Sequence, residues 1–131
     1  MEKFSKLTGV AAPMMVSNVN TDVIISAVWL KNPDANLGTK AFGTWRYDPK
    51  GNENPDFVLN QPRYRKAQIL VAGPNFGCGS SREGAVWAVM GFGFRAVIAP
   101  SFGEIFFTNS FQNGLLLIQL PPADVAALAE A

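Results

Sequence analysis

Between residues 67 and 131, three short apolar runs alternate with stretches of helical character, and this alternation limits the fold more than any other feature. Residues 67–72, 95–99 and 115–120 are too short for helices and nearly continuous in apolar side chains, the pattern of strands buried on both faces. Residues 81–90 and 102–112 lie between them and read as helices. The first is stopped by Gly91 and Gly93, the second by Asn113-Gly114. Another helix is expected over residues 122–131. Strand, helix, strand, helix, strand with short connections implies an α/β fold, a parallel or mixed sheet covered by helices.

The first half is less regular. Residues 4–16 mix apolar and polar side chains without helical period, interrupted by Gly9 and Pro13, and read as one or two short strands or a hairpin. Ser17-Asn18-Val19-Asn20-Thr21-Asp22 is a turn-forming cluster, most simply the start of a helix at Thr21 or Asp22. Residues 23–30 are apolar enough to be buried, but their period does not separate strand from short helix. From residue 31 to 56 Asn, Pro, Asp, Gly and Lys dominate, around one apolar island, Phe42-Gly43-Thr44-Trp45-Arg46-Tyr47. A loop of this length marks a lid, a binding loop or disorder. The expectation is one domain over residues 1–131 with a mobile loop at 31–56, the island packing on substrate or partner. Residues 57–60 form a brief ordered piece, and Arg63, Arg65 and Lys66 a solvated basic trio.

Composition removes several functions. The formal net charge is +1, with no basic block, which argues against a nucleic-acid surface. No run approaches the ~18 apolar residues of a membrane span, and no apolar signal region follows the first residues, so a cytoplasmic location is expected. One cysteine excludes an internal disulfide and cannot by itself hold zinc or an iron–sulfur cluster. Histidine is absent, which removes Ser-His-Asp and Cys-His catalysis and a histidine general base from this chain.

The stretch with chemical potential is Val71-Ala72-Gly73-Pro74-Asn75-Phe76-Gly77-Cys78-Gly79-Ser80-Ser81-Arg82-Glu83, where a strand hands over to a helix. Ligands of α/β proteins bind at such carboxyl ends of strands. The dinucleotide pattern fails because Arg82 stands where its third glycine is needed, and the nucleophile-elbow pattern fails at Glu83. Ser80-Ser81-Arg82-Glu83 has the spacing of a capping box, as does Ser101-Phe102-Gly103-Glu104 ahead of the next helix. Capping requires neither the glycines nor Arg82, a cation set against the helix dipole. Helix amides and a guanidinium fork together suit a carboxylate or phosphate, and they favour the alkoxide form of a serine placed among them.

The same thirteen residues resemble the signature of the aconitase superfamily's swivel domain, most closely that of the small subunits of 3-isopropylmalate dehydratases. Asn18-Val19-Asn20-Thr21-Asp22-Val23-Ile24-Ile25, Asn54-Pro55-Asp56-Phe57-Val58-Leu59-Asn60, Phe94-Arg95-Ala96-Val97-Ile98-Ala99, Ser101-Phe102-Gly103-Glu104-Ile105-Phe106 and Asn113-Gly114-Leu115 are similar to that family's segments, in order. The resemblance implies a swivelling β/β/α domain with a mixed sheet and flanking helices. It also implies a cluster-bearing large subunit as partner, with the [4Fe–4S] cluster there and no cofactor or metal in this chain. The implied reaction, part of leucine biosynthesis, interconverts 2- and 3-isopropylmalate by dehydration and rehydration, the cluster iron acting as Lewis acid on the leaving hydroxyl. Ser80 matches the alkoxide base and Arg82 the carboxylate-holding arginine. Ser81, Gly79 and Asp22 fall in the substrate pocket, and Leu30 and Leu37 beside the substrate's variable side chain. Three residues depart from the family pattern: Gly84 for a usual histidine, Asn20 for an aspartate and Ser26 for a proline. Typical members also continue beyond the position of Ala131. Two alternatives stay open, a non-catalytic relative that binds a carboxylate or a partner, and a hydro-lyase for another hydroxy-dicarboxylate.

Overall fold

A computed structural model of the chain describes residues 9–25, 41–48, 50–79 and 83–130. Four short strands, β1 (Ala11–Met14), β2 (Ile69–Ala72), β3 (Ala96–Ala99) and β4 (Leu116–Gln119), lie side by side in chain order. All three pairings are parallel; Leu70 stands opposite Ala12 on one side and Val97 on the other. The α/β class is as expected, but the described sheet is parallel rather than mixed. Each connection crosses over through other structure and returns the chain in the same direction, as parallel pairing requires. Antiparallel pairing among the described residues is confined to an isolated bridge between Tyr47 and Glu53. Pro13 sits in β1, an edge strand of the described sheet, where a missing amide donor is tolerated.

Among the described residues five helices accompany the sheet: α1 (Thr21–Ile24), α2 (Gly43–Arg46), α3 (Glu83–Phe92), α4 (Glu104–Asn113) and α5 (Pro122–Glu130). Two 3₁₀ turns, Val58–Asn60 and Pro62–Tyr64, precede β2. Successive crossovers of one hand set α3 and α4 side by side on one face of the sheet. Against them the strands turn Ala12, Met14, Leu70, Ala72, Val97 and Ala99, all buried with Val86, Val89 and Phe106 from the helices. Each of the larger side chains among them, Met14, Leu70, Val97, Val86, Val89 and Phe106, contributes about 1.5–3 kcal/mol. Gly84, in the first turn of α3, is buried as well. The helix runs through Gly91 and stops at Gly93.

On the other face α5 packs across β1, β2 and β3. Its cover is partial, leaving a groove of about 410 Å³ lined by Val10, Pro13, Tyr64 and Leu128 among others. Burial of the strands on both faces was therefore only half met. Leu116 of β4 is exposed and Ile118 half-buried, because β4 ends the described sheet and α5 does not extend over it. Among the described residues no helix is long and apolar enough to cross a membrane.

The described part of the first half resolves some of its open alternatives. Asn20 caps α1, its side chain accepting a hydrogen bond from the Val23 amide at 2.9 Å, so a helix does begin at Thr21. It lasts one turn, and backbone at Ile25 is already extended. A hairpin is not seen in residues 9–16; residues 1–8 lie outside the described set, as do 26–40. The apolar island packs on this chain's own core rather than awaiting a partner. Phe42 is buried, with its amide donating to the Ile24 carbonyl at 2.8 Å, and Trp45 meets Phe57 edge-on. Arg63, Arg65 and Lys66 are exposed as expected, Arg65 forming a forked ion pair with Glu53. Hydrogen bonding to Arg65 holds the Glu53 carboxyl below the usual carboxylate range. Its small contribution is thus present at neutral pH and is lost as pH falls through the folded-state pKa.

Arg46 organises this segment. Its buried guanidinium donates to the Ala41 carbonyl and to Asn60 Oδ1, each at 3.3 Å, and lies over the Tyr47 and Phe92 rings. Asn60 returns the link by donating to the carbonyls of Arg46 at 2.7 Å and Asn54 at 2.8 Å. Asn60→Ala strips a buried cation of one acceptor and the Arg46 and Asn54 carbonyls of one of their two donors each. The expected cost is about 2–3 kcal/mol, read from denaturant unfolding midpoints; an unchanged midpoint would contradict the assignment.

Candidate functional site

The loop that leaves β2 is held on both sides by the loops that leave β1 and β3. It begins with a turn in which Pro74 precedes Asn75 at φ 60°, the pattern of a type II turn. Toward β1, the Asn18 amide donates to the Pro74 carbonyl at 2.9 Å, the Gly77 amide to Val19 at 2.7 Å and the Thr21 amide to Cys78 at 2.9 Å. Toward β3, the Phe76 amide donates to the Ser101 carbonyl at 3.2 Å, and Gly103 donates to Phe76 at 2.9 Å. The segment is in effect a short extension of the sheet beyond its strands, with bridges Asn20–Cys78 and Phe76–Phe102.

Phe76 anchors this arrangement. Its ring is fully buried and meets Phe106 of α4 edge-on, with centroids 5.5 Å apart. The accompanying close approach is possible only with glycine. At Gly77, where φ is +80°, a Cβ would run into the Phe106 ring. At Gly103 a Cβ would stand 2.5 Å from the Gly77 carbonyl oxygen and 2.8 Å from Cys78 Cα, both backbone atoms that have nowhere to move. Gly79, at φ +107°, is exposed, and its nearest neighbours belong to Thr21 and Asn20.

The expected site residues divide accordingly. Gly79 and Asp22 are brought onto adjacent segments by the Thr21–Cys78 hydrogen bond, with Asp22 exposed on the first turn of α1. Ser80, Ser81, Arg82, Leu30 and Leu37 lie outside the described residues, and with them the first capping box. The second capping box does not form. The N-cap of α4 is Gly103 and receives no side-chain hydrogen bond, because Ser101 stands two residues too early. Its hydroxyl accepts instead from the Asn75 amide at 2.8 Å. Asn18, Asn75 and Ser101 are the site-building residues that sequence reasoning missed as such. The available signal was the Pro-Asn pair, which calls for a left-handed residue at the second position.

For a metal or cluster, the donor set is decisive. The whole chain has one cysteine and no histidine. Among the described residues no group of three or more Cys, Asp or Glu could hold a metal ion. Cys78 is a half-buried thiol whose backbone is tied to Thr21. These residues do not fit an iron–sulfur cluster, which takes several thiolates.

The glycine contacts are open to a direct test. Gly103→Ala should destabilise the chain by about 2–3 kcal/mol through overpacking. Gly51→Ala, at φ +86° with nothing within 4 Å of the added Cβ, should cost only about 1 kcal/mol of backbone strain. Equal midpoints for the two variants in chemical unfolding would contradict the close approach.

Comparison with known proteins agrees with this architecture. Residues 1–123 match the aconitase C-terminal domain. The 3-isopropylmalate dehydratase small subunits of Dinoroseobacter shibae and Mesorhizobium japonicum are each 59% identical to this chain over 131 residues. The alignment covers 99% of this chain and 65% of each relative, so the chain spans just under two thirds of their length. A crystal structure of 3-isopropylmalate dehydratase from Methanocaldococcus jannaschii superposes with a TM-score of 0.65 at 33% identity, covering 86% of this chain and 61% of that one. By its ordered motifs, its parallel sheet and the match over residues 1–123, the chain belongs to the aconitase C-terminal domain family.

Proposed function

We propose that the chain acts as the small subunit of a 3-isopropylmalate dehydratase, a hydro-lyase completed by a cluster-bearing large subunit. The carrying observation is the convergence of three strand-exit loops at residues 76–78, just ahead of Gly79 and Ser80, in a chain 59% identical to relatives of that name. The [4Fe–4S] cluster then belongs to the large subunit, and none of this chain's residues holds it.

On this reading the substrate is a branched hydroxy-dicarboxylate. Ser80, as alkoxide, removes the proton from the carbon beside one carboxylate, and the hydroxyl on the neighbouring carbon takes a proton from a general acid of the large subunit and departs as water. The alkene then takes up water in the opposite sense, the acid regaining that proton from the water and the Ser80 hydroxyl returning its own to carbon. A serine can serve as base where amides, helix dipole and a guanidinium all favour its anion. Arg82 holds a carboxylate through two parallel hydrogen bonds, with Ser81 and the Gly79 amide completing the anion pocket. Asp22 is suited to accept from a substrate hydroxyl, and Leu30 and Leu37 to meet the isopropyl group.

The experiment is reconstitution with the cognate large subunit and measurement of alkene formation from 3-isopropylmalate. Ser80→Ala should lower turnover by about a thousandfold or more, as loss of a proton-transferring group does. Arg82→Lys should cost about a hundredfold, because a point charge does not reproduce the fork. Unimpaired turnover in both variants would overturn the assignment.

A further inference from the structure

Two asparagines in left-handed backbone face each other across the loops that leave β1 and β2. Asn18 has φ 58° and Asn75 φ 60°. Asn75 Nδ2 donates to Asn18 Oδ1 at 3.0 Å, while the backbone amide of Asn75 donates to the Ser101 hydroxyl at 2.8 Å. One residue thus touches both flanking loops, by its side chain on the β1 side and by its amide on the β3 side. Asparagine is among the few non-glycine residues that tolerate this backbone, so shape alone would be met equally well by glycine. What glycine lacks is the amide that links to Asn18.

An exposed hydrogen bond of this kind adds little to global stability. Its geometric effect is larger. Asn75 opens the described stretch that precedes Ser80, and the backbone bonds of Gly77 to Val19 and of Cys78 to Thr21 come within the next three residues. A tilt at Asn75 is carried along this short, hydrogen-bonded run to Gly79.

We propose that the Asn18–Asn75–Ser101 clamp is a positioning device: it fixes the backbone of residues 77–79, the segment from which the chain enters the proposed catalytic serine. The inference rests on the assignment of Ser80 as base. Asn75 is a positioning residue and does not itself touch the reacting atoms.

Two measurements test it. In the free chain, Asn75→Gly keeps the left-handed turn but removes the link. Amide exchange of Gly77 and Thr21 should then accelerate about tenfold while global stability stays unchanged. Unaltered exchange overturns the clamp whatever Ser80 does. In the complex with the large subunit, Asn75→Gly should lower kcat about tenfold or more, as misplacement of a reacting group does, with KM within about twofold. The singles Asn75→Asp and Asn18→Asp keep an amide opposite a carboxylate, so each should retain kcat within about threefold. The double variant sets two carboxylates against each other and should fall at least as far as Asn75→Gly. A kcat within twofold of the parent in Asn75→Gly, where Ser80→Ala is inactive, overturns the clamp but leaves the base assignment standing. Full turnover in Ser80→Ala overturns the assignment on which the clamp depends.

Discussion

Two backbones touch where Gly103 lies against Gly77 and Cys78, and the functional end of the domain depends on that contact. Without it the loop after β2 could not sink its Phe76 ring under α4 or share hydrogen bonds with the segment after β3. The contact also explains why the loop is rich in glycine. Gly77 clears the Phe106 ring, and Gly79 turns the chain past Thr21 in a conformation that side chains seldom adopt. Each glycine answers a specific collision or torsion, and their sum is a loop with a defined course.

How legible this was in the sequence varied with the physics involved. Continuous apolar runs are read reliably, because a sheet covered by helices leaves few alternatives. That is why β2, β3, α3 and α4 fall where the pattern put them. Edge effects were not legible. Nothing in Leu115-Leu116-Leu117-Ile118 announces that β4 ends the described sheet and leaves Leu116 in contact with solvent. The island from Phe42 to Tyr47 read as a surface for a partner, because a charged, proline- and glycine-rich context hides the fact that Arg46 carries its own acceptors in Asn60 and Ala41.

Within the site the lesson is finer. Ser101 has the spacing of a capping box, yet α4 begins two residues later than that pattern needs, and the hydroxyl serves the neighbouring loop instead. Spacing identified a group able to accept an amide but not which amide. Asn18 and Asn75 were visible only as turn formers, since their partnership spans 57 positions of sequence. Long-range pairs of this kind carry no local signal.

The proposed function asks a chain without histidine to do its proton chemistry with a serine, and the structural roles of this loop are compatible with that. The most direct measurement is a structure of this chain with its large subunit and bound 3-isopropylmalate. One substrate carboxylate is expected on the Arg82 guanidinium, with the Ser80 hydroxyl within hydrogen-bond reach of the carbon that loses its proton. Asn75 is expected to remain linked to Asn18 and Ser101. A substrate bound away from Gly79, or a loop that has left both neighbours in the complex, would refute the role assigned to this loop.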